Sequence, residues 1–200
     1  MLNEIIGPPA QPLEGQDRSA YGFRVESSFS VVRSFGEGQW APHVGNSGSS
    51  PHRYSCVNGR IYSGQTRAAW ELNPVEEGDG GTHFLSGTHK MDFDIPEAYK
   101  EESAGMFETY ACPAGSLVVF CERTMHTPYV WQNKERPRIS VFNCYNHAEA
   151  QVHRLENPHE LVMRMPEERR ALFRGVWRWW NRHGGPRENN VQYDENNRAI

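Results

Sequence analysis

The chain of 200 residues lacks the features that mark several classes of protein. It has no run of eighteen apolar residues and no basic stretch followed by an apolar one at its amino terminus, so we expect neither a membrane-spanning helix nor a secretion signal. It also lacks a basic patch interleaved with aromatic residues, and its formal net charge is −4. These absences argue against a nucleic-acid partner and predict a cytoplasmic protein that binds no membrane.

Cysteine is scarce as well. The chain has four cysteines: Cys56, Cys112, Cys121 and Cys144. None of them forms a Cys-x-x-Cys pair, and all lie in or beside stretches with the pattern of a strand. We therefore expect reduced thiols rather than disulfides or a zinc site.

The composition is that of a β-rich globular protein. Hydrophobic residues make up 37% of the chain, aromatic residues 12%, and glycine occupies 18 positions, which is typical of a folded chain with many turns. This length fits a single hydrophobic core. We expect one domain over residues 1–183, followed by a flexible tail over residues 184–200.

Short strands alternate with turns along most of the chain. Patterns typical of strands cover Tyr21–Phe35, Arg60–Pro74, Thr82–Leu85, Ser116–Glu122 and Ile139–Tyr145. From residue 158 the apolar period becomes helical, and Pro166 begins a helix with acidic residues in its first turn. This order predicts a mainly β fold, a double-stranded β-helix (jelly-roll, cupin-like) barrel with flanking helices.

Two stretches of the sequence suggest a site at one end of that barrel. The apolar strand ending near Glu122 brings His126 to a strand end, and a second strand opens with Arg138 and Ser140. Residues two apart on a strand face the same way, and a guanidinium binds a carboxylate through two parallel hydrogen bonds. The pattern predicts a metal ligand beside an anion-binding arginine, with Arg136 as the alternative anchor.

Several motifs then resemble one enzyme family. In order they are Trp70–Val75, Gly78–Gly81, Leu85–Lys90 and Gly115–Phe120, followed by His126 and Arg138. Together, over roughly residues 40 to 147, they resemble the phytanoyl-CoA dioxygenase family of iron(II)- and 2-oxoglutarate-dependent oxygenases. The resemblance implies Fe(II), 2-oxoglutarate as cosubstrate, and O2, used to hydroxylate an unactivated carbon of a small organic substrate. It does not indicate acyl-CoA, because the chain has no cationic cluster suited to the CoA phosphates.

The resemblance also implies roles for individual residues. His126 corresponds to the second histidine ligand of the metal. Arg138 and Ser140 correspond to the residues that hold the distal carboxylate of 2-oxoglutarate, and Trp70 corresponds to a residue that lines the keto-acid pocket. The sequence leaves open the alternative that a tryptophan in an apolar strand belongs to the core.

The chain departs from the family at the first metal ligand. The family carries His-x-Asp before the strand with the tryptophan, whereas no His-x-Asp occurs in this chain. Two replacements are open: His43, in His-x-Gly45, and His52, in His-x-Tyr54. We favour His43 slightly, because glycine lets the backbone approach a metal closely.

Neither replacement supplies the carboxylate ligand. Asp92 or Asp94 could provide it from a nearby loop, whereas Glu71 should face away from Trp70. A halide in place of the carboxylate would make the protein a halogenase-like variant. If no anion fills the position, the alternative is a non-catalytic jelly-roll binding module with a decayed metal site.

Overall fold

The structure is a computed structural model. It describes residues 1–6, 22–45, 54–147, 150, 152 and 159–173. His52, one of the two candidates for the first metal ligand, and the tail predicted over residues 184–200 lie outside these ranges.

The described residues form eight strands, three short α-helices and four 3₁₀ helices. The strands are β1 (Phe23–Arg33), β2 (Ser55–Val57), β3 (Arg60–Tyr62), β4 (Thr66–Glu71), β5 (Thr82–Leu85), β6 (Ser116–Cys121), β7 (Met125–Pro128) and β8 (Arg138–His147). The α-helices are α1 (Leu2–Ile5), α2 (His159–Met163) and α3 (Glu167–Arg170). Four 3₁₀ helices span Thr88–Lys90, Glu97–Tyr99, Glu102–Ala104 and Ala171–Phe173. None of the helices in the described part of the chain has the length and apolar character needed to cross a lipid bilayer.

Two antiparallel sheets face each other. The larger sheet has the strand order β1-β8-β4-β6, and the smaller one pairs β5 with β7. Their facing side chains touch, since the ring centroid of Phe84 on β5 lies 4.9 Å from that of Phe120 on β6. A hairpin of β2 and β3 stands beside them. This is the mainly β jelly-roll arrangement predicted from the sequence.

The inner face of the larger sheet is unusually polar. Residues of β8 alternate between buried and half-buried, and the buried ones are Arg138, Ser140, Phe142, Cys144 and Asn146. Residues directly opposite each other on paired strands share a face. The register places Glu71 opposite Ser140 and Arg67 opposite Cys144, so β4 adds one acidic and one basic side chain to the same interior.

Two of the described strands, β2 and β7, were not predicted. The sequence brought His126 to a strand end, but the structure places it within β7, where it pairs with Phe84 of β5. The segment between β5 and β6 contains three of the 3₁₀ helices, Thr88–Lys90, Glu97–Tyr99 and Glu102–Ala104. The strands β1, β5, β6 and β8 lie where the alternating pattern predicted them.

The loop after β1 is hydrogen-bonded to the segment after β7. The backbone N–H of Gly36 donates to the carbonyl of Trp131 over 2.8 Å, and the N–H of Trp131 donates to the carbonyl of Glu37 over 2.9 Å. Gly38 lies against this segment with φ +117°, and a Cβ added there would stand 2.4 Å from the Tyr129 carbonyl oxygen. The close approach requires glycine, and it fixes the path of the chain toward residue 43.

We expect Gly38→Ala to destabilise the protein more than Gly36→Ala. Both glycines have positive φ, but a Cβ at Gly36 would meet nothing within 4 Å. Gly36→Ala should therefore cost only about 1–2 kcal/mol, the backbone penalty of an L-residue in that region. Gly38→Ala adds a clash with backbone. Equal free energies of unfolding for the two variants in urea denaturation would contradict the packing described for this loop.

Candidate functional site

Two histidines from different segments meet at the boundary between the interior and solvent. The backbones of His43 and His126 exchange two hydrogen bonds, each 2.9 Å long, as an isolated antiparallel bridge. Their ring centroids lie 4.3 Å apart. His126 is buried and His43 is exposed, so the pair lies between the interior and solvent. Of the two candidates for the first histidine, the structure describes His43 and brings it to His126.

The hydrogen bonds of both rings fix which nitrogen can bind a ligand. His43 Nδ1 lies 2.8 Å from the carbonyl oxygen of Ala41, and His126 Nδ1 lies 2.7 Å from that of Thr124. A carbonyl oxygen can only accept, so each Nδ1 carries the proton and each Nε2 of the neutral ring keeps its lone pair. A backbone carbonyl on the second nitrogen is the usual support of a histidine that binds a metal.

The protein also favours the neutral form of His126. Burial lowers the pKa of this imidazole, and the proximity of His43 and Arg67 lowers it further, against the opposing effect of Glu122 and the Thr124 carbonyl. A neutral imidazole is the form that ligates a metal. The electrostatics therefore agree with the hydrogen bonding.

A carboxylate lies beside this pair. Glu122 follows β6 and is buried, and its Oε1 lies 3.8 Å from His126 Nε2. Arg67 donates two hydrogen bonds to the same carboxylate, one from Nε and one from Nη2, the latter 2.9 Å long. Burial would lower the pKa of Arg67, but the hydrogen bond and charge of Glu122 raise it. Glu122 is thus an anion held close to the two imidazoles by a neighbouring cation.

The side chain of Glu122 fills the space next to Gly45. A Cβ added to Gly45 would stand 1.9 Å from Glu122 Cγ and 2.4 Å from its Oε1. The backbone N–H of Gly45 donates to the carbonyl of Glu122 over 2.9 Å. If His43 takes the place of the first histidine, Gly45 stands where the resembled family carries its aspartate, and the carboxylate of Glu122 lies beside that position.

The three groups are not assembled around a common point. In the described part of the chain, no three side chains of His, Cys, Asp or Glu already have the arrangement of a complete metal-binding group. The carboxylate of Glu122 is hydrogen-bonded to Arg67. The residues nonetheless fit a divalent metal by donor type, since two neutral imidazoles and a carboxylate are the ligands that non-haem Fe(II) takes.

A second cluster is centred on Arg138. Its guanidinium holds the carboxylate of Glu71 through Nη2–Oε1 at 2.6 Å and Nε–Oε2 at 3.2 Å. The hydroxyls of Ser140 and Tyr110 each donate to the same carboxylate over 2.6 Å. Arg138, Glu71 and Ser140 are almost fully buried. The cluster is therefore a complete carboxylate-binding site whose occupant is a side chain of the protein.

The cluster keeps Glu71 ionised. Burial by itself would raise the pKa of this carboxyl, but the hydrogen bond and charge of Arg138, with the bonds from Ser140 and Tyr110, hold the pKa below its ordinary value. Burial raises the pKa of Tyr110, so its hydroxyl keeps the proton that it donates. The pair is an anion and a cation, each satisfied by the other.

A chain of aromatic contacts joins the two clusters. Tyr110, which bonds to Glu71, lies 6.3 Å by ring centroid from Phe84. Phe84 lies 4.9 Å from Phe120, and Phe120 lies 5.0 Å from His126. Aromatic contacts between the two sheets therefore connect the histidine pair to the arginine cluster.

Trp70 takes a different position. Its side chain is 41% exposed and lies on the face of β4 opposite to Glu71. The structure therefore does not bring Trp70 into the interior with Arg138 and Ser140, because alternation along the strand gives the inner position to Glu71 instead. The sequence expectation that Glu71 and Trp70 face opposite ways is confirmed, but the acid is the one inside.

Two buried carboxylates near the predicted histidine and arginine were not assigned to the site from the sequence. It considered Asp92 and Asp94, which are both exposed, whereas Glu71 and Glu122 are buried beside the predicted arginine and histidine. The available signal for Glu122 was weak: an acid four residues before His126. The contact of Glu122 with Gly45 is visible only in the structure.

We expect the Arg138–Glu71 pair to make stability dependent on pH. A carboxyl whose folded pKa lies below its ordinary value of 4.5 stabilises the fold above that pH, and the stabilisation is lost as the pH falls through the lowered pKa. Arg138→Met should cost about 3–5 kcal/mol at neutral pH, because it leaves a buried carboxylate unpaired. Urea denaturation between pH 3 and 7 measures both effects. The double variant Arg138→Met/Glu71→Gln should recover part of the loss, and no recovery would contradict the pairing.

Comparisons with known proteins agree with the fold. No protein-family model and no curated protein matches the chain. Among solved structures, HygX from Streptomyces hygroscopicus with nickel and 2-oxoglutarate bound is 16% identical, with a TM-score of 0.60, over 78% of this chain and 66% of HygX. EvdMO1 is 13% identical, with a TM-score of 0.51, over 71% of this chain and 28% of EvdMO1. The chain thus spans slightly less than two thirds of HygX, and at these identities the likeness shows a shared fold.

Proposed function

We propose that the protein is a non-haem oxygenase that uses Fe(II), 2-oxoglutarate and O2 to hydroxylate an unactivated carbon of a small organic substrate. One observation carries the proposal: His43 and His126 lie side by side with each Nδ1 hydrogen-bonded to a backbone carbonyl, and a chain of aromatic contacts leads from His126 to the cluster of Arg138. The fold shared with HygX, which was crystallised with iron and with nickel and 2-oxoglutarate, supports it.

His43 and His126 would hold the metal. Fe(II) supplies the redox chemistry with O2 that no protein side chain provides. The chain contributes the backbone carbonyls that fix both imidazoles, and the aromatic rings of Phe84 and Phe120 that exclude water on the inner side. A shielded, preoriented pocket keeps the oxidising equivalents on the substrate.

Arg138 and Ser140 would hold the distal carboxylate of 2-oxoglutarate. Their donor set fits a carboxylate, because it already binds that of Glu71. The cosubstrate would therefore compete with Glu71 for Arg138. Arg136 is the weaker anchor, since it pairs with Glu76 and Asp79 at the surface turn.

Halogenation is the less favoured reaction. A halide would need the space that a missing side chain leaves at residue 45, and Glu122 fills that space. A buried carboxylate beside the position would also repel an anion.

A second candidate function is a binding module without oxygenase activity. The occupation of Arg138 by Glu71 favours it, because a permanent internal carboxylate would exclude the keto acid. The two candidates differ in one property, which is whether 2-oxoglutarate can displace Glu71.

We expect the protein with Fe(II) and 2-oxoglutarate, without oxygen, to develop a visible metal-to-ligand charge-transfer band. Admission of air should then yield succinate. His126→Ala should abolish the band, because it removes the buried ligand, and His89→Ala should keep it, since the His89 ring makes an edge-to-face contact with Tyr54. A wild-type protein with neither band nor succinate would leave the binding module.

We expect Glu71→Ala to bind 2-oxoglutarate about tenfold or more tightly than the wild type. The variant leaves the buried guanidinium of Arg138 without its anion, and a dicarboxylate from solution can replace it. Thermal unfolding with increasing 2-oxoglutarate measures the affinity through the rise in Tm. Arg138→Met should abolish the rise in both backgrounds. If 2-oxoglutarate stabilises neither the wild type nor Glu71→Ala, Arg138 is not its anchor.

A further inference from the structure

We propose that Glu122 is the anionic metal ligand of this protein, in place of the aspartate that a His-x-Asp motif would supply at residue 45. The inference rests on the proposed function, since it needs a metal at the histidine pair. It assigns the missing carboxylate to a residue on the neighbouring segment, which no motif in the sequence marks.

The side chain of Glu122 occupies the space next to Gly45. The nearest atoms to an added Cβ are Cγ, Cδ and Oε1 of Glu122, at 1.9, 2.5 and 2.4 Å. The φ of Gly45 lies outside the left-handed region, so the backbone would accept a side chain there. Glycine is needed because a carboxylate from another residue already occupies the place.

The carboxylate of Glu122 also lies close to His126, which neighbours His43. Glu122 Oε1 lies 3.8 Å from His126 Nε2, and His126 lies beside His43. Bonds from a divalent ion such as Zn²⁺ to imidazole nitrogen and carboxylate oxygen are each about 2.1 Å long. Both atoms are therefore within reach of one ion.

The buried negative charge of Glu122 also favours a nearby cation. Glu122 is 3% exposed, and a buried carboxylate must be paired with a cation. Without metal, Arg67 is that cation. With metal, the ion would be a second and stronger one, and Arg67 would orient the carboxylate through its remaining lone pairs.

Glu122 is the anion that the described interior offers next to the histidines.

Binding of Co(II), read from its visible ligand-field absorption in anaerobic protein without keto acid, tests the proposal. Glu122→Gln keeps the shape of the side chain but loses the charge, and it should weaken Co(II) binding at least tenfold. Glu26→Gln is the matched control: Glu26 is also buried and paired with an arginine, Arg24, and its replacement should leave the affinity unchanged.

If Glu122→Gln folds poorly, variants that move the carboxylate from residue 122 to residue 45 provide the test instead. Gly45→Asp alone should lower Tm and bind Co(II) weakly, because the new side chain clashes with Glu122. Gly45→Asp/Glu122→Ala removes the clash and returns a carboxylate to the other side of the same space. It should bind Co(II) within a few-fold of the wild type.

The outcomes separate this inference from the proposed function. Wild-type protein that binds no Co(II) overturns both. Wild-type binding with an unchanged affinity in folded Glu122→Gln overturns only the role of Glu122 and leaves the histidine site. Loss in Glu122→Gln with recovery in the double variant supports the assignment.

Discussion

The reciprocal backbone hydrogen bonds between His43 and His126 are the constraint on which the rest of the interior depends. They align a segment that has no strand of its own with β7, and thereby bring two imidazoles side by side. The same alignment lays Gly45 against Glu122. Because main-chain atoms make these bonds, the placement is set by chain path rather than by side-chain attraction.

The interior is unusual in how it balances charge. The inner face of β4 carries Arg67 and Glu71 on either side of the fully buried Ala69. The basic residue neutralises Glu122, and the acidic one neutralises Arg138. Buried ion pairs contribute little net stability compared with apolar packing, yet breaking one is costly.

Much of the fold followed from the sequence. Alternation of apolar and polar residues predicted β1, β5, β6 and β8, and with them the face shared by Arg138 and Ser140. The two-residue period fixes which residues share a face, but not which face is inside. The inward position of Trp70 was implied by the family resemblance, whereas the structure places Glu71 on the inner face.

The partners within the site could not be predicted. Contacts such as Arg67 with Glu122 join residues 55 apart in the chain, and Arg138 with Glu71 joins residues 67 apart. Such pairs follow from the register between strands, which depends on the whole sheet. His126 could be proposed from the sequence because it lies close to Arg138 in the chain. The position of Glu122 next to Gly45, by contrast, is visible only in the structure.

The sheet order also governs when this interior can form. β8 lies between β1 and β4, and Ser28 bonds to Asn143, 115 residues further along the chain. Contacts of such long range must wait for loop closure, so folding of this topology is slow compared with that of helical proteins. A nascent chain that ends before residue 138 contains His43 and His126 but lacks Arg138. The carboxylate of Glu71 therefore has no guanidinium partner from β8 until Arg138 has been synthesised.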